Sequence, residues 1–369
     1  MRDKTKVREP LVRIAKRTGV SRLHAWLVRA AAIVLSLLVS AVIIYAIVGL
    51  NPLKVYASMF QGAFGTTNRI WFTVRDTMML LCIGVGLAPA FKMKFWNLGA
   101  EGQILVGGIA TAACMIYLDN LPTPLLFLVM ILASMLAGAL WGMIPTVFKA
   151  KWNTNEVLFT LMMNYIAIQL TSFFVAKWEN PFGSNSVGVI NPSTRAGWFP
   201  PIFGQAYLLN VIIVMALTIG MFLYLKYSKQ GYEIAVVGES ERTARYAGIS
   251  VEKVYLRTML ISAAICGLAG FIAVSGASHT ISTSTADGRG FTAIIVVWMA
   301  KFNTLFMILI SALLAFLDKG AIQIASDFGL NDYASEMITG IILFFLIGCE
   351  FFINYRLIFR KKSEKEENK

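Results

Sequence analysis

One long polar segment, residues 231–249, interrupts an otherwise apolar sequence, and its charges suit contact with another protein. Arg242 and Arg245 lie close to Glu239 and Glu241, so acidic and basic groups are neighbours over a few residues. The residues around them are compatible with a short helix, and Gly248 provides a C-terminal stop. We therefore predict a short docking helix that the rest of the chain presents to a partner.

Polar side chains also stand at the edges of apolar segments, where they could line a path for a polar solute. Asn97, Glu101 and Gln103 occupy a glycine-containing turn that leads into the apolar segment starting at Ile104. Glu101 at the edge of a membrane span is energetically costly unless its carboxylate is paired or faces water or a cavity. Its presence therefore favours a role in a substrate pathway or a hinge. Asn97 and Glu101 also suit an N-terminal helix cap, because they can accept hydrogen bonds from free backbone amides. Both interpretations stay open.

Two further polar sites have a structural and a functional interpretation. Asp287 and Arg289 lie in a second glycine-rich turn and are expected to pair with each other, which makes Asp287 the weaker pathway candidate. Asn164, with Tyr165 and Gln169, lies inside an apolar segment, where a polar cluster joins helices by default and can otherwise line a pathway. The candidate pathway residues are Asn97, Glu101, Gln103, Asn164 and Asp287.

The sequence lacks the common enzyme motifs. It contains no GxxxxGK[ST] phosphate loop, no HExxH zinc motif and no GxSxG nucleophile. His24 and His279 are isolated, and the four cysteines lie far apart in apolar segments without His or Cys neighbours. We expect no enzyme activity, no cofactor and no metal site in this chain.

The composition is that of an integral membrane protein. Of 369 residues, 57% are hydrophobic and only 14% are charged, which is too apolar for a soluble globule. The formal net charge of +13 comes from basic residues that cluster at the two ends and in the polar loop over residues 226–257, a pattern of membrane topology rather than nucleic-acid binding. The positive-inside rule places both termini in the cytoplasm.

The predicted fold is all-α, with a polytopic membrane domain over residues 30–359 between a basic arm, 1–29, and a charged tail, 360–369. A membrane helix needs roughly 20 apolar residues. Nine spans are predicted: 30–50, 77–91, 104–118, 125–148, 157–176, 207–225, 256–275, 305–324 and 335–359. Because both termini are placed in the cytoplasm, the number of membrane crossings must be even. The short apolar segment 291–300 is therefore predicted to be a half-helix, which gives about ten membrane elements.

This topology places residues 226–257 in a cytoplasmic loop and residues 177–206 in an external one. The glycine-rich turns at 97–103 and 286–290 then enter from opposite sides, which is typical of an inverted internal repeat with discontinuous helices. The arm includes an amphipathic stretch, residues 11–16, and is predicted to lie on anionic lipid.

Several of these segments resemble one known family. The matching residues are Gly238-Glu239, Ala244-Arg245-Tyr246-Ala247-Gly248-Ile249 and the following 262–270. They resemble the inner loop and next helix of permeases in the ribose and branched-chain amino acid branch of ATP-binding cassette importers. Within that branch, residues 97–103 and 155–165 are most similar to bacterial purine nucleoside permeases. The resemblance covers roughly residues 76–359.

The resemblance implies an assembly and a role for the docking helix. In that family the permease pairs with a second homologous permease in the cell membrane, two cytoplasmic ATPase subunits bind ATP and magnesium, and an external lipoprotein delivers the substrate. The residues that would then couple this chain to its ATPase are Gly238, Glu239, Arg242, Arg245, Tyr246, Gly248 and Ile249.

The function expected from this resemblance is import of purine nucleosides by alternating access. A simple-sugar permease of the same branch is the nearest alternative. A secondary transporter driven by ions also uses broken helices, but it has no use for a docking helix and needs ionisable groups deep in its spans. A channel or a structural membrane protein fits less well.

Overall fold

The computed structural model describes residues 12–16, 22–331, 333, 336–338, 340–341, 343–344, 348 and 355–359. The predicted helical class is confirmed. The chain forms two compact units, one of residues 63–316 and one that combines 1–62 with 317–369.

Helices dominate both units. Their bounds are α1 Arg22–Ile43, α2 Pro52–Phe64, α3 Thr67–Lys92, α4 Ala100–Tyr117, α5 Thr123–Trp152, α6 Glu156–Lys177, α7 Leu208–Tyr227, α8 Lys229–Glu239, α9 Glu241–Tyr246, α10 Val251–Ala273, α11 Arg289–Met299 and α12 Thr304–Phe328. Short π-helical segments, Ile44–Val48 and Val274–Ser278, continue α1 and α10.

Seven helices in the described part of the chain are long and apolar enough to cross a membrane. They are α3 to α7, α10 with its π-helical end, and α12, and each overlaps a predicted span. The predicted half-helix at 291–300 corresponds to α11, and the predicted span at 30–50 corresponds to α1 and its π-helical end. The predicted docking helix corresponds to α9.

Three helical features differ from the prediction. α3 starts ten residues before the predicted span, because the Thr66 side chain accepts a hydrogen bond from the Arg69 backbone and caps the helix there. α2 and α8 were not predicted as helices, since with 13 and 11 residues both are too short to cross a membrane. Pro52 opens α2 and the Ser228 side chain caps α8.

Two short strands pair outside the helices and were not predicted. β1 (Val12–Lys16) pairs antiparallel with β2 (Tyr355–Phe359), in a register that sets Val12 opposite Phe359. β1 alternates apolar and basic residues over Val12, Arg13 and Ile14, the period of a strand. The predicted span at 335–359 therefore ends in a strand. The described positions between 333 and 348 are helical, and the rest of that span lies outside the described residues.

Glycines bring the backbones of the central helices of unit 63–316 together. A Cβ atom added at Gly267 of α10 would overlap the Ser134 carbonyl oxygen of α5, and one at Gly270 would overlap the Ile104 carbonyl oxygen of α4. Small residues allow such close packing where no hydrophobic effect drives helices together. α10 is accordingly the most enclosed span, with 89% of its apolar window buried.

In the unit of the two chain ends, α2 packs against the C-terminal half of α12. The Ser58 hydroxyl donates to Asp327 Oδ2 at 2.6 Å, and Gly320 leaves room for the Met59 side chain.

Candidate functional site

Glu101 joins the first turn of α4 to the first turn of α11. Its Oε1 accepts from the Gly288 backbone N–H at 2.8 Å, and its Oε2 accepts from Gly290 at 2.9 Å. The side chain is only 8% exposed. An added Cβ at Gly290 would lie 2.7 Å from Glu101 Oε2, so the approach depends on glycine. A carboxylate here satisfies free amides and offsets the positive end of the half-helix.

The second cluster consists of buried amides around the turn before α4. The Asn97 and Gln103 side chains exchange two hydrogen bonds of 3.3 Å, and Asn97 Oδ1 also accepts from the Gly99 backbone at 3.1 Å. Both side chains are at most 1% exposed. Their polar atoms therefore hold the turn in shape.

Asn164 ties this turn to α6. Its Oδ1 accepts from the Gly102 backbone at 2.9 Å, and its Nδ2 donates to the Leu98 carbonyl at 2.8 Å. One helical turn earlier, the Thr160 hydroxyl accepts from the Leu98 backbone at 3.2 Å. The structure thus brings Asn97, Gln103 and Asn164 together, while Glu101 faces the neighbouring half-helix.

A cavity of about 230 Å³ lies between the N-terminal half of α3, the start of α7, the end of α10 and the segment that precedes α11. Asp287 lines it and forms an ion pair of 3.8 Å with Arg289, as predicted. Of the five predicted pathway residues, Asp287 lines this cavity. The other four do not line it: Asn97, Glu101 and Gln103 lie in and before the first turn of α4, and Asn164 lies in α6.

Arg75 and Asp76 form a second charged pair in the cavity wall, which the sequence reasoning missed. Arg75 Nε donates to Asp76 Oδ1 at 2.8 Å. The guanidinium also lies over the rings of Phe72 and Tyr207, 5.4 and 5.5 Å from their centroids, a cation–π arrangement. The available signal was an Arg-Asp pair directly before a span predicted to start at residue 77; α3 in fact contains the pair.

Asn210, the third residue of α7, is the other wall residue that the sequence reasoning missed. It is fully buried and lines the cavity. Its Nδ2 donates to the Gly276 carbonyl at 3.3 Å, and within the described part of the chain its Oδ1 has no hydrogen-bond partner. Buried polar atoms are normally paired, so this acceptor is a feature that needs an explanation.

The α8–α9 element presents charged and aromatic side chains on a fixed base. Ala244 is buried, whereas Arg242 and Arg245 are exposed and Tyr246 is 93% exposed. The Tyr255 hydroxyl donates to Glu241 Oε1 at 2.6 Å, which attaches α9 to α10.

The predicted glycine stop is present at the end of α9. Gly248 has a φ of +75°, and the Ile249 N–H donates to the Ala244 carbonyl at 2.9 Å. In α8, Gly238 packs so tightly that an added Cβ would overlap the Lys92 carbonyl oxygen at the end of α3. Glu239, the last residue of α8, is exposed. Gly238 thus allows α8 to pack against α3, and Gly248 ends α9. The charged side chains of the α8–α9 element are exposed on its surface.

The loop between α6 and α7 is fastened to the end of α10. The rings of Trp198 and His279 stack with centroids 4.0 Å apart and planes 6° apart. The Ile190 backbone N–H donates to the His279 carbonyl at 2.9 Å, and the Ser275 hydroxyl donates to the Gly197 carbonyl. Burial lowers the pKa of the His279 imidazole.

Among the residues that the structure describes, no group of three or more His, Cys, Asp or Glu side chains could hold a metal ion. Cys82, Cys114 and Cys266 are free thiols.

Comparison with known proteins gives one consistent family. Residues 69–347 match the family described as branched-chain amino acid transport system / permease component. A guanosine ABC transporter permease of Bacillus subtilis is 30% identical over 331 residues, which span 89% of this chain and 94% of that protein. A glucose ABC transporter permease of Haloferax volcanii is 29% identical over 354 residues, 90% of each chain.

A nucleoside ABC transporter permease of Lactococcus lactis is 27% identical over 325 residues, which span 85% of this chain and 88% of that protein. No solved structure was found to match the chain.

Proposed function

The chain belongs to the branched-chain amino acid transport system / permease component family of ABC transporters, and from this premise we propose that it is the permease subunit through which an importer takes up purine nucleosides. Two of the relatives described above carry guanosine or nucleoside in their names, and the alignments span most of both chains. The glucose permease of similar identity favours a simple sugar as the second candidate.

The chain is a multi-pass membrane protein, and we propose that it works with a cytoplasmic ATPase, a second homologous permease and an external binding lipoprotein. ATP and magnesium are bound by the ATPase subunits, so this chain performs no covalent chemistry on the solute. Its own contribution is to form the path and to transmit movement.

The proposed topology has about ten membrane elements with both ends in the cytoplasm of a bacterial cell. The seven long apolar helices support it, as do the apolar part of α1, Leu37–Ala46, and the half-helix α11. The proposed inverted repeat is supported by the contact between the two glycine-containing turns through Glu101.

The observation that carries the proposal is the α8–α9 element. A six-residue helix with a buried alanine, two exposed arginines and an almost fully exposed tyrosine, anchored to a span by Tyr255 and Glu241, is suited to fit a partner's groove. The ion pair of Arg257 with Glu233, 2.9 Å long, ties α8 to the same span. Movement of a bound ATPase is thereby transmitted to α10, the most enclosed span.

In the membrane, we propose that Asp287 contacts the solute directly. Asn97, Glu101, Gln103 and Asn164 hold the helix starts around the path, because their hydrogen bonds go to the backbone and to each other. Rigid-body rocking around these fixed groups is the mode of alternating access in such folds.

The test is a charge reversal on α9. Arg245→Glu leaves the fold intact, since the side chain is exposed, and is expected to lower the amount of ATPase that copurifies with the permease about tenfold or more. Uptake falls with it.

Asp119→Arg is the matched control, a charge reversal at an exposed position after the opposite end of a span. It leaves copurification unchanged. Normal copurification and uptake in Arg245→Glu would contradict the proposed role of α9.

A further inference from the structure

A second cavity, of about 160 Å³, lies between the end of α3, the end of α7 and the start of α12. Lys92 and Lys226, in the last turns of α3 and α7, both line it, and its lining contains no acidic side chain. The proposed topology places these helix ends at the cytoplasmic face of the membrane. The cavity is smaller than the roughly 300–1,000 Å³ of most small-molecule sites, so it suits one small group rather than a whole solute.

The two ammonium groups have no acidic partner. Neither Lys92 nor Lys226 forms an ion pair with any residue that the structure describes. Lys92 Nζ donates one hydrogen bond, of 3.4 Å, to the Leu225 carbonyl, and Lys226 Nζ lies 5.2 Å from the centroid of the Phe222 ring. An ammonium group has three donors, so both keep donors for a ligand. Each helix C-terminus offsets only about half an elementary charge, so the cavity keeps a positive charge.

Asn303 adds a third donor to the same space. Its Oδ1 accepts from the backbone N–H groups of Leu305 and Phe306 at 3.1 and 3.4 Å, which caps α12. Its Nδ2 amino group has no partner among the residues that the structure describes. Asn303 and Lys226 are exposed, and Lys92 is partly exposed. An anion with several acceptor oxygens would satisfy these donors together.

The rest of the lining favours a lipid as the source of that anion. Phe222, Leu225 and Phe302 supply apolar surface beside the three donors. A free anion makes no favourable contact with such surface, whereas a phospholipid carries its phosphate group directly beside its acyl chains. Basic pockets between spans on the cytoplasmic side are a known form of lipid headgroup site.

We propose that this cavity binds the phosphate group of an anionic phospholipid. Lys92, Lys226 and Asn303 donate to the phosphate oxygens, and Phe222 and Phe302 contact the start of the acyl chains. A zwitterionic lipid fits less well, because its cationic group adds positive charge to a cavity that has no acid. The site goes beyond the proposed function and does not depend on which solute the permease carries.

The proposed lipid lies beside the packing surface of α8. A Cβ atom added at Gly238 would overlap the Lys92 carbonyl oxygen, and one added at Gly231 would lie 2.6 Å from the Leu225 carbonyl oxygen. The ends of α3 and α7 are therefore the surface on which α8 packs. Bound phosphate offsets the repulsion between the two lysines, so it stabilises this surface.

Thermal unfolding of the purified full-length protein in a neutral detergent tests the site. The additions are phosphatidylglycerol, phosphatidylcholine with the same acyl chains, and inorganic phosphate, each over a range of concentrations. A ligand that binds the folded state raises the unfolding midpoint. Phosphatidylglycerol is expected to raise the midpoint at a lower concentration than phosphatidylcholine, and inorganic phosphate is expected to leave it unchanged.

Variants of the two lysines localise the effect. Lys226→Gln and Lys92→Gln are each expected to raise the half-saturating phosphatidylglycerol concentration about fivefold. Lys226→Arg keeps the charge and is expected to change that concentration less than about twofold. Lys151→Gln is the matched control: Lys151 is an exposed lysine in the last turn of α5 and does not line the cavity.

Three results would overturn the site. If Lys151→Gln weakens the response as much as Lys226→Gln does, the lipid is attracted only by the general positive charge. A response to phosphatidylcholine as strong as that to phosphatidylglycerol would show that the charge of the lipid plays no part. An equal response to inorganic phosphate would assign the cavity to a free anion instead of a lipid.

Discussion

Glu101 and Gly290 are 189 residues apart in the chain, yet the Gly290 N–H donates to Glu101 Oε2 at 2.9 Å. The other carboxylate oxygen accepts from Gly288 at 2.8 Å. One anion therefore serves the first turns of both α4 and α11, where the helix dipoles favour negative charge. The two glycine-containing turns of the sequence meet at this residue.

Glu101→Gln tests this contact. Glutamine has one carbonyl oxygen where the carboxylate has two, so one of the two buried N–H groups loses its acceptor. We expect the free energy of unfolding of the purified permease–ATPase complex to fall by about 1.5–3 kcal/mol, the usual range for a hydrogen bond to a charged group. We also expect solute uptake to fall. Thermal unfolding measures this loss of stability. Thr292→Val is the control, because the Thr292 hydroxyl makes only an exposed hydrogen bond of 3.3 Å to the Gly288 carbonyl. Equal unfolding midpoints for Glu101→Gln and wild type would show that the hydrogen bonds from Gly288 and Gly290 to Glu101 have no role in stability.

Gly238→Ala tests the close packing of α8 against the end of α3. The added methyl group overlaps the Lys92 carbonyl oxygen, and overpacking of this kind costs about 1–3 kcal/mol. We expect lower stability and weaker ATPase binding, measured by thermal unfolding and copurification. Gly248→Asn is the comparison: nothing lies near an added Cβ there, and asparagine tolerates the positive φ. The prediction is wrong if Gly248→Asn is the more damaging change.

Asn164→Ala tests the amide link between α6 and the turn before α4. It leaves the Gly102 N–H and the Leu98 carbonyl without their partner, and each buried group left unpaired costs about 1–3 kcal/mol. We expect a lower unfolding midpoint, while Gln169→Ala, an exposed amide five residues later, leaves it unchanged. A midpoint shift of the same size in both variants would contradict the link.

The packing of the loop between α6 and α7 is expected to weaken in acid. The pKa of His279 at the end of α10 is lowered while the loop covers it, so the imidazole binds a proton more readily once the loop is released. The contribution is therefore fully present above the ordinary histidine pKa of about 6.5 and is lost as the pH falls below it towards the lowered value.

Trypsin cleavage after the exposed Arg195 measures this release. Cleavage at pH 5.5 relative to pH 7.5 is expected to be faster in the wild-type protein than in His279→Asn, which does not titrate and tolerates the left-handed backbone at this position. Comparing the two proteins at each pH removes the pH dependence of trypsin itself. The same ratio in both proteins would exclude His279 as the titrating group.

The sequence predicted the helices wherever a long apolar run decides the structure, and it predicted α9 from the charges around Gly248. It missed α2 and α8, because both are shorter than a membrane span. It missed the β1–β2 pair, because strand pairing links residues more than 300 positions apart in the chain. Glu101 was predicted as a cap or a pathway residue, but its partners Gly288 and Gly290 follow only from the fold. Arg75 and Asn210 were missed because nothing in their local sequence shows that α3 and α7 bring them to one cavity.

Uptake of labelled guanosine, adenosine and ribose in cells with and without this chain, with ion gradients intact or collapsed, tests the central claim most directly. We predict that deletion abolishes nucleoside uptake, that ribose uptake is unaffected and that the lost uptake is insensitive to gradient collapse. Loss of ribose uptake alone would assign the chain to sugars, and nucleoside uptake that disappears with the gradients would contradict ATP-driven import.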